Sequence, residues 1–241
     1  MKEKLRRIGT SGWNYEHWKD RFYPSGLAKS KWLNFYTEHF DTVEVNATFY
    51  RLPKPKTFDN WYEKTPDNFL WAVKGSRYIT HIQRLKDTAE SLERLYQSVE
   101  KLKEKAGPIL FQLPPSFTFD ERILKAFCKE LNPAFRHALE VRHESWIDEV
   151  VFQILKENNI ALCISDSAGR FPYCEAITAD FVYIRLHGSK KLYASNYTET
   201  ELRQWAEKIK NWNVDTYIYF DNDYEGFAVS NASRLKQLLV R

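Results

Sequence analysis

Apolar and polar positions along the chain follow one repeating rhythm. A short β-rich run is followed by a polar loop, an amphipathic stretch at helical spacing, and the next β-rich run. The β-rich runs fall at 7–11, 42–46, 69–74, 109–113, 138–142, 160–165, 181–187 and 216–220. The first intervening helix starts near Ser30 and puts Trp32, Phe35, Tyr36 and Phe40 on one face. Thr57 reads as the cap of a short helix with Phe58, Trp61 and Tyr62. A helix over 87–105 spaces Leu92, Leu95, Val99 and Leu102 helically, and Gly107-Pro108 stops it. Asp120 caps a helix bearing Ile123, Leu124, Phe127 and Leu131, and a helix over 148–157 ends at Asn158-Asn159. Thr198 and Glu201 form a capping box for a helix burying Leu202, Trp205, Ile209 and Trp212. The last helix, from about Tyr224, carries Ala228, Ala232, Leu235 and Leu239.

Strands alternating with helices imply a parallel sheet covered by helices. Eight such units, each about 30 residues long, close into a single α/β domain over 1–241, a (β/α)8 barrel of the TIM type. One step is irregular. Only 14 residues lie between Asp166 and Phe181, with Gly169 and Pro172 among them, so the sixth helix is expected to be irregular or missing. A doubly wound open sheet is the structural alternative, but no Gly-rich dinucleotide turn follows a strand.

Composition narrows the class. A chain that is 43% apolar and 16% aromatic is not intrinsically disordered. No apolar stretch approaches the roughly 18 residues that span a bilayer, and the charged N-terminal stretch has no apolar run of a secretory signal. Cys128, Cys163 and Cys174 lack CxxC spacing, so neither a disulfide framework nor a zinc site is encoded. The expectation is a soluble, cytoplasmic protein with no membrane partner. A net charge of +4 does not by itself argue for nucleic acid.

Side chains alternate along a strand, so residues two apart share a face. With Val43 and Val45 turned toward the helices, Glu44 and Asn46 point inward. The same test turns Lys74 inward with Ala72, and Gln112, Glu140 and Arg142 come from the next two strands. Asp166 ends the sixth strand. Tyr183, Arg185 and His187 share the inner face of the seventh, and Asp221-Asn222 ends the eighth with the inward one of the two left open. These residues sit at the C-terminal strand ends, where barrels of this type carry their active sites. Three carboxylates (Glu44, Glu140, Asp166), three cations (Lys74, Arg142, Arg185) and His187 make either a functional site or a self-neutralising salt-bridge network.

The segments GTSGWNYEHWKDRFYP, TVEVNATFYRLP, ITH, GPILFQLPPSF, ALEVRHESW, YIRLHG and YFDNDYEGFAVSNASRL, in this order, resemble the YecE-like family, a domain of unknown function. The resemblance covers essentially the whole chain and implies a TIM-type barrel, with no established activity. Matching positions include Gly12, Trp13, Glu44, Asn46, Tyr50, Lys74, His81, Gln112, Pro114, Glu140, Arg142, His143, Trp146, His187, Gly188, Asn222 and Asn231. Asp221 stands where the family pattern leads us to expect Asn, so the resemblance gives that carboxylate no role.

Several chemistries can be weighed. Glu44, Glu140, Asp166 and His187 would suit a divalent cation, but three basic side chains share the same mouth, so neither metal nor cofactor is expected. A retaining glycosidase would need a close carboxylate pair near the ends of the fourth and seventh strands, where this chain has Gln112 and His187. A buried strand lysine such as Lys74 can act as a Schiff-base nucleophile if desolvation lowers its pKa; the bland alternative is an ion pair with Glu44 or Glu140. The reading that remains is an enzyme, a metal-independent hydrolase or lyase, acting on a small phosphorylated or otherwise anionic substrate. Its catalytic candidates are Glu44, Lys74, Glu140 and His187. Its substrate-binding candidates are Trp13, Asn46, Tyr50, Gln112, Arg142, His143, Trp146, Arg185, Gly188 and Asn222, and Arg142 and Arg185 are expected to grip the anion most strongly. The second class is a non-catalytic nucleic-acid-binding protein. It would use the aromatic rim (Trp13, Tyr15, Tyr50, Tyr78, Trp146, Tyr193, Tyr224), with Lys54/Lys56 and Lys190/Lys191 on phosphates. Trp13 and Trp146 have the plainer reading of plugs that seat loops. Lys101, Lys103 and Lys105 read as a solvated helix face.

Overall fold

A computed structural model describes residues 4–240. The first three residues of the charged N-terminal stretch and residue 241 lie outside the described residues. Among the described residues nine short strands, all parallel, form two sheets. The five-stranded sheet runs β2 (Thr42–Val45), β3 (Leu70–Lys74), β4 (Ala106–Gln112), β5 (His137–Glu140) and β6 (Ile160–Leu162) in chain order. The four-stranded sheet has the order β1 (Arg6–Thr10), β9 (Asp215–Phe220), β8 (Phe181–Leu186) and β7 (Ile164–Asp166).

The expected sixth strand over 160–165 is thus split in two. Cys163 separates β6 from β7, and its backbone N–H still donates to Leu139 of β5 at 2.9 Å. At the other seam, β1 and β2 meet through a single bridge, Ser11 to Glu44, and the Gly12 N–H donates to the Glu44 carbonyl at 2.8 Å. Gly9 permits this approach. A Cβ there would lie 2.2 Å from the Thr42 carbonyl oxygen.

Strand alternation divides the apolar residues into two cores. Val43, Val45, Trp71, Val73, Ile109, Phe111, Leu139, Val182, Ile184, Ile218 and Phe220 pack outward under the helices. Ala72, Leu110, Ala138, Ala161, Cys163, Phe181, Tyr183, Tyr217 and Tyr219 form a second cluster that joins the inner faces of the two sheets. Three alanines and Leu110 from the five-stranded sheet thus oppose large aromatics from the four-stranded one.

The helices that cover the strands include α1 (Trp32–His39), α2 (Ala47–Tyr50), α3 (Pro55–Glu63), α4 (Ala89–Val99), α5 (Glu121–Glu130), α6 (Glu149–Glu157), α7 (Glu199–Trp212) and α8 (Phe227–Val240). Asp120 caps α5 by accepting from the backbone of Arg122 and Ile123, and Thr198 with Glu201 forms the capping box of α7. Between β7 and β8 the described residues form no helix, as the short Gly- and Pro-containing segment predicts. No helix of the described residues is long and apolar enough to cross a membrane.

Four local expectations are corrected. Thr57 lies inside α3, whose first residue is Pro55, because a proline at this position loses no intrahelical hydrogen bond. The helix expected over 87–105 ends at Val99 and tightens into a 3-10 segment, Glu100–Lys105, with Lys103 at φ 48°. Gly107-Pro108 falls inside β4, where the pairing register with β3 shifts between Trp71 and Val73, a bulge that accommodates the proline. Lys105 is buried rather than part of a solvated face; its Nζ donates to the carbonyls of Tyr62 at 2.8 Å and Thr65 at 2.6 Å.

Candidate functional site

The inner-face residues at the C-terminal ends of the strands converge on Arg185. This guanidinium is fully buried, and each of its nitrogens is engaged by protein acceptors. Nε reaches both Glu44 oxygens, at 3.2 and 3.1 Å. Nη1 donates to Glu140 at 2.7 Å. Nη2 donates to Glu44 at 2.8 Å, to Asp221 at 3.0 Å and to Ser11 Oγ at 3.0 Å. Burial alone would lower the Arg185 pKa, but Glu44, Glu140 and Asp221 hold it well above the ordinary value.

The surrounding polar groups complete the network. The Tyr183 hydroxyl donates to Glu44 Oε2 at 2.6 Å, and Ser11 Oγ donates to Oε1 of the same carboxylate. Asn46 Nδ2 donates to Ser11 Oγ at 2.7 Å. Arg142 donates through Nε to Glu140 at 3.0 Å and through Nη2 to Gln112 at 2.8 Å, and lies 4.3 Å from the Phe171 ring centroid. Burial would raise the Glu140 pKa, yet Arg142 and Arg185 hold it well below the usual carboxylate range.

Asp221 belongs to this centre. Burial opposes its charge, but Arg185 and His187 outweigh that and bring its pKa down to about 2. Its carboxylate therefore accepts, and His187 Nδ1, 2.8 Å away, carries the proton between them. Nε2 of the same ring lies 3.6 Å from Glu140 Oε1 and 3.5 Å from Arg185 Nη1. The His187 and Tyr193 rings pack in a T-shaped pair, with centroids 5.4 Å apart.

Lys74 is the exception. It is only 8% exposed, yet among the described residues no carboxylate oxygen lies within ion-pair distance of its Nζ. The ammonium instead rests 4.5 Å from the Phe49 ring centroid. Burial, reinforced by Arg185 and only partly opposed by Glu140, Glu44 and Asp221, pushes its pKa down to about 8. The expected ion pair with Glu44 or Glu140 does not form because Arg185 and Arg142 already occupy those carboxylates. His81, whose ring meets the edge of Phe49 at 5.2 Å, is pushed down to about 4 by burial and by Arg77 and Arg142.

Glu44, Asn46, Lys74, Gln112, Glu140, Arg142, Arg185 and His187 therefore gather at one place. Asp166, counted with them from the sequence, does not. Its carboxylate accepts from Tyr197 at 2.9 Å and lines a separate cavity of about 400 Å³ beside α7. Asn222 turns away from the inner face and ties down a loop, donating to the Ser195 carbonyl at 2.8 Å and to Asn231 at 2.9 Å. Trp13 packs edge-on against Trp61 and Trp71, and Trp146 is fully buried with Nε1 donating to the Phe117 carbonyl at 2.7 Å. Both are plugs. His143 accepts from the Ser145 backbone and caps a turn over Glu144–Trp146. Gly188, at φ +116°, begins the loop that carries Tyr193. Tyr50, Tyr78 and Tyr224 stand exposed.

Sequence reasoning missed Ser11 and gave Asp221 no role. Both were signalled by alternation, since Gly9 and Ser11 share a face, as do Tyr217, Tyr219 and Asp221. No group of three or more His, Cys, Asp or Glu side chains is arranged to hold a metal among the described residues.

An α/β protein of parallel sheets with a buried, charged centre at its C-terminal strand ends is the class that these features define. The chain belongs to the family described as "Protein of unknown function DUF72", whose pattern matches residues 7–241. It is 26% identical over 267 aligned positions to the UPF0759 protein YunF of Bacillus subtilis (strain 168), covering 96% of this chain and 94% of the relative. It is 28% identical over 241 positions to the UPF0759 protein YecE of Escherichia coli (strain K12), covering 88% and 84%. The crystal structure of a DUF72 family protein from Thermotoga maritima MSB8 superposes with a TM-score of 0.90 at 31% identity, covering 98% of this chain and all of that one. A DUF72 family protein from Enterococcus faecalis V583, at 20% identity and TM-score 0.84, shares the fold.

Proposed function

We propose that the protein is a metal-independent enzyme, a hydrolase or lyase, acting on a small phosphorylated or otherwise anionic substrate at the C-terminal strand ends. One observation carries this reading: Lys74 is a buried ammonium without a carboxylate partner, beside three carboxylates already claimed by arginines. Burying a charge unpaired costs several kcal/mol, and an arriving anion would supply the missing partner. Arg142 adds to the pull, because its described hydrogen bonds use Nε and Nη2 and leave Nη1 over. Asn46 Oδ1 and Ser165 Oγ are buried polar atoms with no hydrogen-bond partner, as expected where a ligand or solvent completes the surface.

Roles follow from these contacts. Lys74 and Arg142 meet the anion. His187, held by Asp221, moves a proton through Nε2. Arg185, with every nitrogen committed, positions Glu44, Glu140 and Asp221 and is not a substrate contact. The metal-free reading rests on the same geometry, since the carboxylates a divalent cation would need already serve Arg185 and Arg142. We further read the two sheets as one (β/α)8 barrel domain, with β6 and β7 as the halves of a broken sixth strand and the Ser11–Glu44 bridge as its closing seam.

Calorimetric titration with inorganic phosphate, small sugar phosphates and short single-stranded DNA, each at two salt concentrations, tests the proposal. Binding of a small anion that weakens tenfold or more in Lys74→Met supports it. Tight DNA binding with a steep salt dependence would replace it by the nucleic-acid reading, with the exposed tyrosines as stacking platforms. No binding by the wild type would leave a structural network.

A further inference from the structure

An amine held in an enzyme's interior can attract an anion while protonated and attack a carbonyl once it has lost its proton. A residue meant only to bind phosphate is best left charged. Lys74 is placed where charge is hard to keep: nearly sealed from solvent, near the Arg185 guanidinium, with the centre's carboxylates bonded to other cations and only the face of Phe49 against its ammonium. Its backbone is held as well, because the Lys74 carbonyl accepts from Thr48 Oγ1 at 2.6 Å and Lys74 ends β3. A strand-anchored amine with a depressed affinity for its proton has its lone pair available near neutral pH.

Resting on the reading of this mouth as a site for anionic substrates, we infer that Lys74 forms an imine with the carbonyl carbon of an anionic aldehyde or ketone. The Nζ lone pair forms the new C–N bond while the carbonyl π pair moves to oxygen. The oxygen gains a proton and Nζ loses one, giving a carbinolamine. Protonation of its hydroxyl expels water as the C=N bond forms, so nothing is oxidised or reduced and one water leaves for each imine made. Those proton transfers need a group that can both accept and donate. His187 Nε2 is such a group, fixed by Asp221 and lying beside the same Glu140 and Asp221 carboxylates that act on Lys74. The anionic group of the substrate would fall to Arg142.

Imine chemistry leaves a trace that simple binding does not, because borohydride reduces a C=N bond to a secondary amine. The full-length protein should be incubated separately with dihydroxyacetone phosphate, glycolaldehyde phosphate and pyruvate, with and without sodium borohydride, then weighed intact and mapped by peptide mass spectrometry. The expected result is one adduct per chain with at least one of these probes, located at Lys74 in the wild-type map and lost in Lys74→Arg. Preference among the three distinguishes a phosphate from a carboxylate as the anionic group. Adducts scattered over surface lysines, or unchanged in Lys74→Arg, would overturn the inference. So would calorimetric binding of these probes without any trapped adduct, and that outcome would leave the anionic-substrate reading standing. Neither binding nor trapping would remove both.

Discussion

Arg185 of β8 and Glu44 of β2 lie 2.8 Å apart and join the two sheets across their shared interior. The same guanidinium reaches Glu140 of β5 at 2.7 Å, so one side chain ties the four-stranded sheet to two separate strands of the other. Removing one partner from a buried ion pair typically costs about 3–5 kcal/mol, because the charges left behind are unpaired and desolvated. Arg185→Ala strands three carboxylates and should lose at least that much in urea denaturation. Arg185→Lys should recover little, since a single ammonium cannot reproduce a planar fork that serves three acceptors. A loss below about 1 kcal/mol for the alanine variant would contradict the assignment of Arg185 as the tie.

Lys74 should act in the opposite direction. Its pKa falls from 10.5 to about 8 on folding, so between those values the unfolded chain holds the proton more firmly than the native one. Stability therefore rises with pH across that window, and the burial penalty is present in full below pH 8. The interval corresponds to about 3 kcal/mol. Wild type should gain on Lys74→Met by that order as the pH climbs from 8 to 10.5, and referring to the variant cancels the tyrosines that titrate nearby. A gap that stays constant over this range would mean that Lys74 is solvated or paired in solution.

Much of this centre was legible in the sequence, because one simple rule governed it. Alternation placed Glu44, Lys74, Glu140, Arg185 and His187 on inner faces, and the structure puts them there. The same rule, carried through Ala161, Cys163 and Ser165, turns Asp166 outward; position at a strand's end was the weaker guide. Asp221 was passed over because a family pattern was set above the alternation of Tyr217 and Tyr219. Lys105 and the partners of Trp146 had no local signal, since their burial depends on segments distant in the chain. The pairing of the charges was equally hidden. Which of three cations would claim which carboxylate depends on side-chain reach across the interior, and it is this competition that leaves Lys74 alone.

Asp221 offers a test at the acid end. Its carboxyl titrates near 2 in the native protein against 3.8 ordinarily, so the stability it contributes is complete above pH 3.8 and is lost as the pH falls through 2. This difference amounts to about 2 kcal/mol. Asp221→Asn should therefore be less stable than wild type at pH 6, with a gap that narrows steadily below pH 4. The substitution also deprives His187 Nδ1 of its charged acceptor, so the ring-carbon resonances of His187 should move, visible by NMR. Unchanged His187 ring resonances would show that the pair is not formed in solution.

Gly188 controls how the loop after β8 returns over the site. Its backbone has φ +116°, a region that residues with a Cβ rarely enter. A Cβ there would stand 2.6 Å from the Lys191 carbonyl oxygen and 2.7 Å from Ser195 Oγ. Its N–H donates to the Tyr197 hydroxyl at 3.1 Å, and five residues on Tyr193 packs against His187. Gly188→Ala must therefore move the 188–195 turn, at a cost on the order of 1–3 kcal/mol for backbone held in a disfavoured region. Tyr193 should shift with it and uncover the His187 ring, because Lys191 and Ser195 flank it in the same turn. The expected signature is a lowered melting temperature, together with altered His187 ring resonances and weakened binding of any small anion the wild type takes up. A variant that loses stability while His187 and anion binding stay as they were would show that the turn is packed for its own sake and takes no part in covering the site.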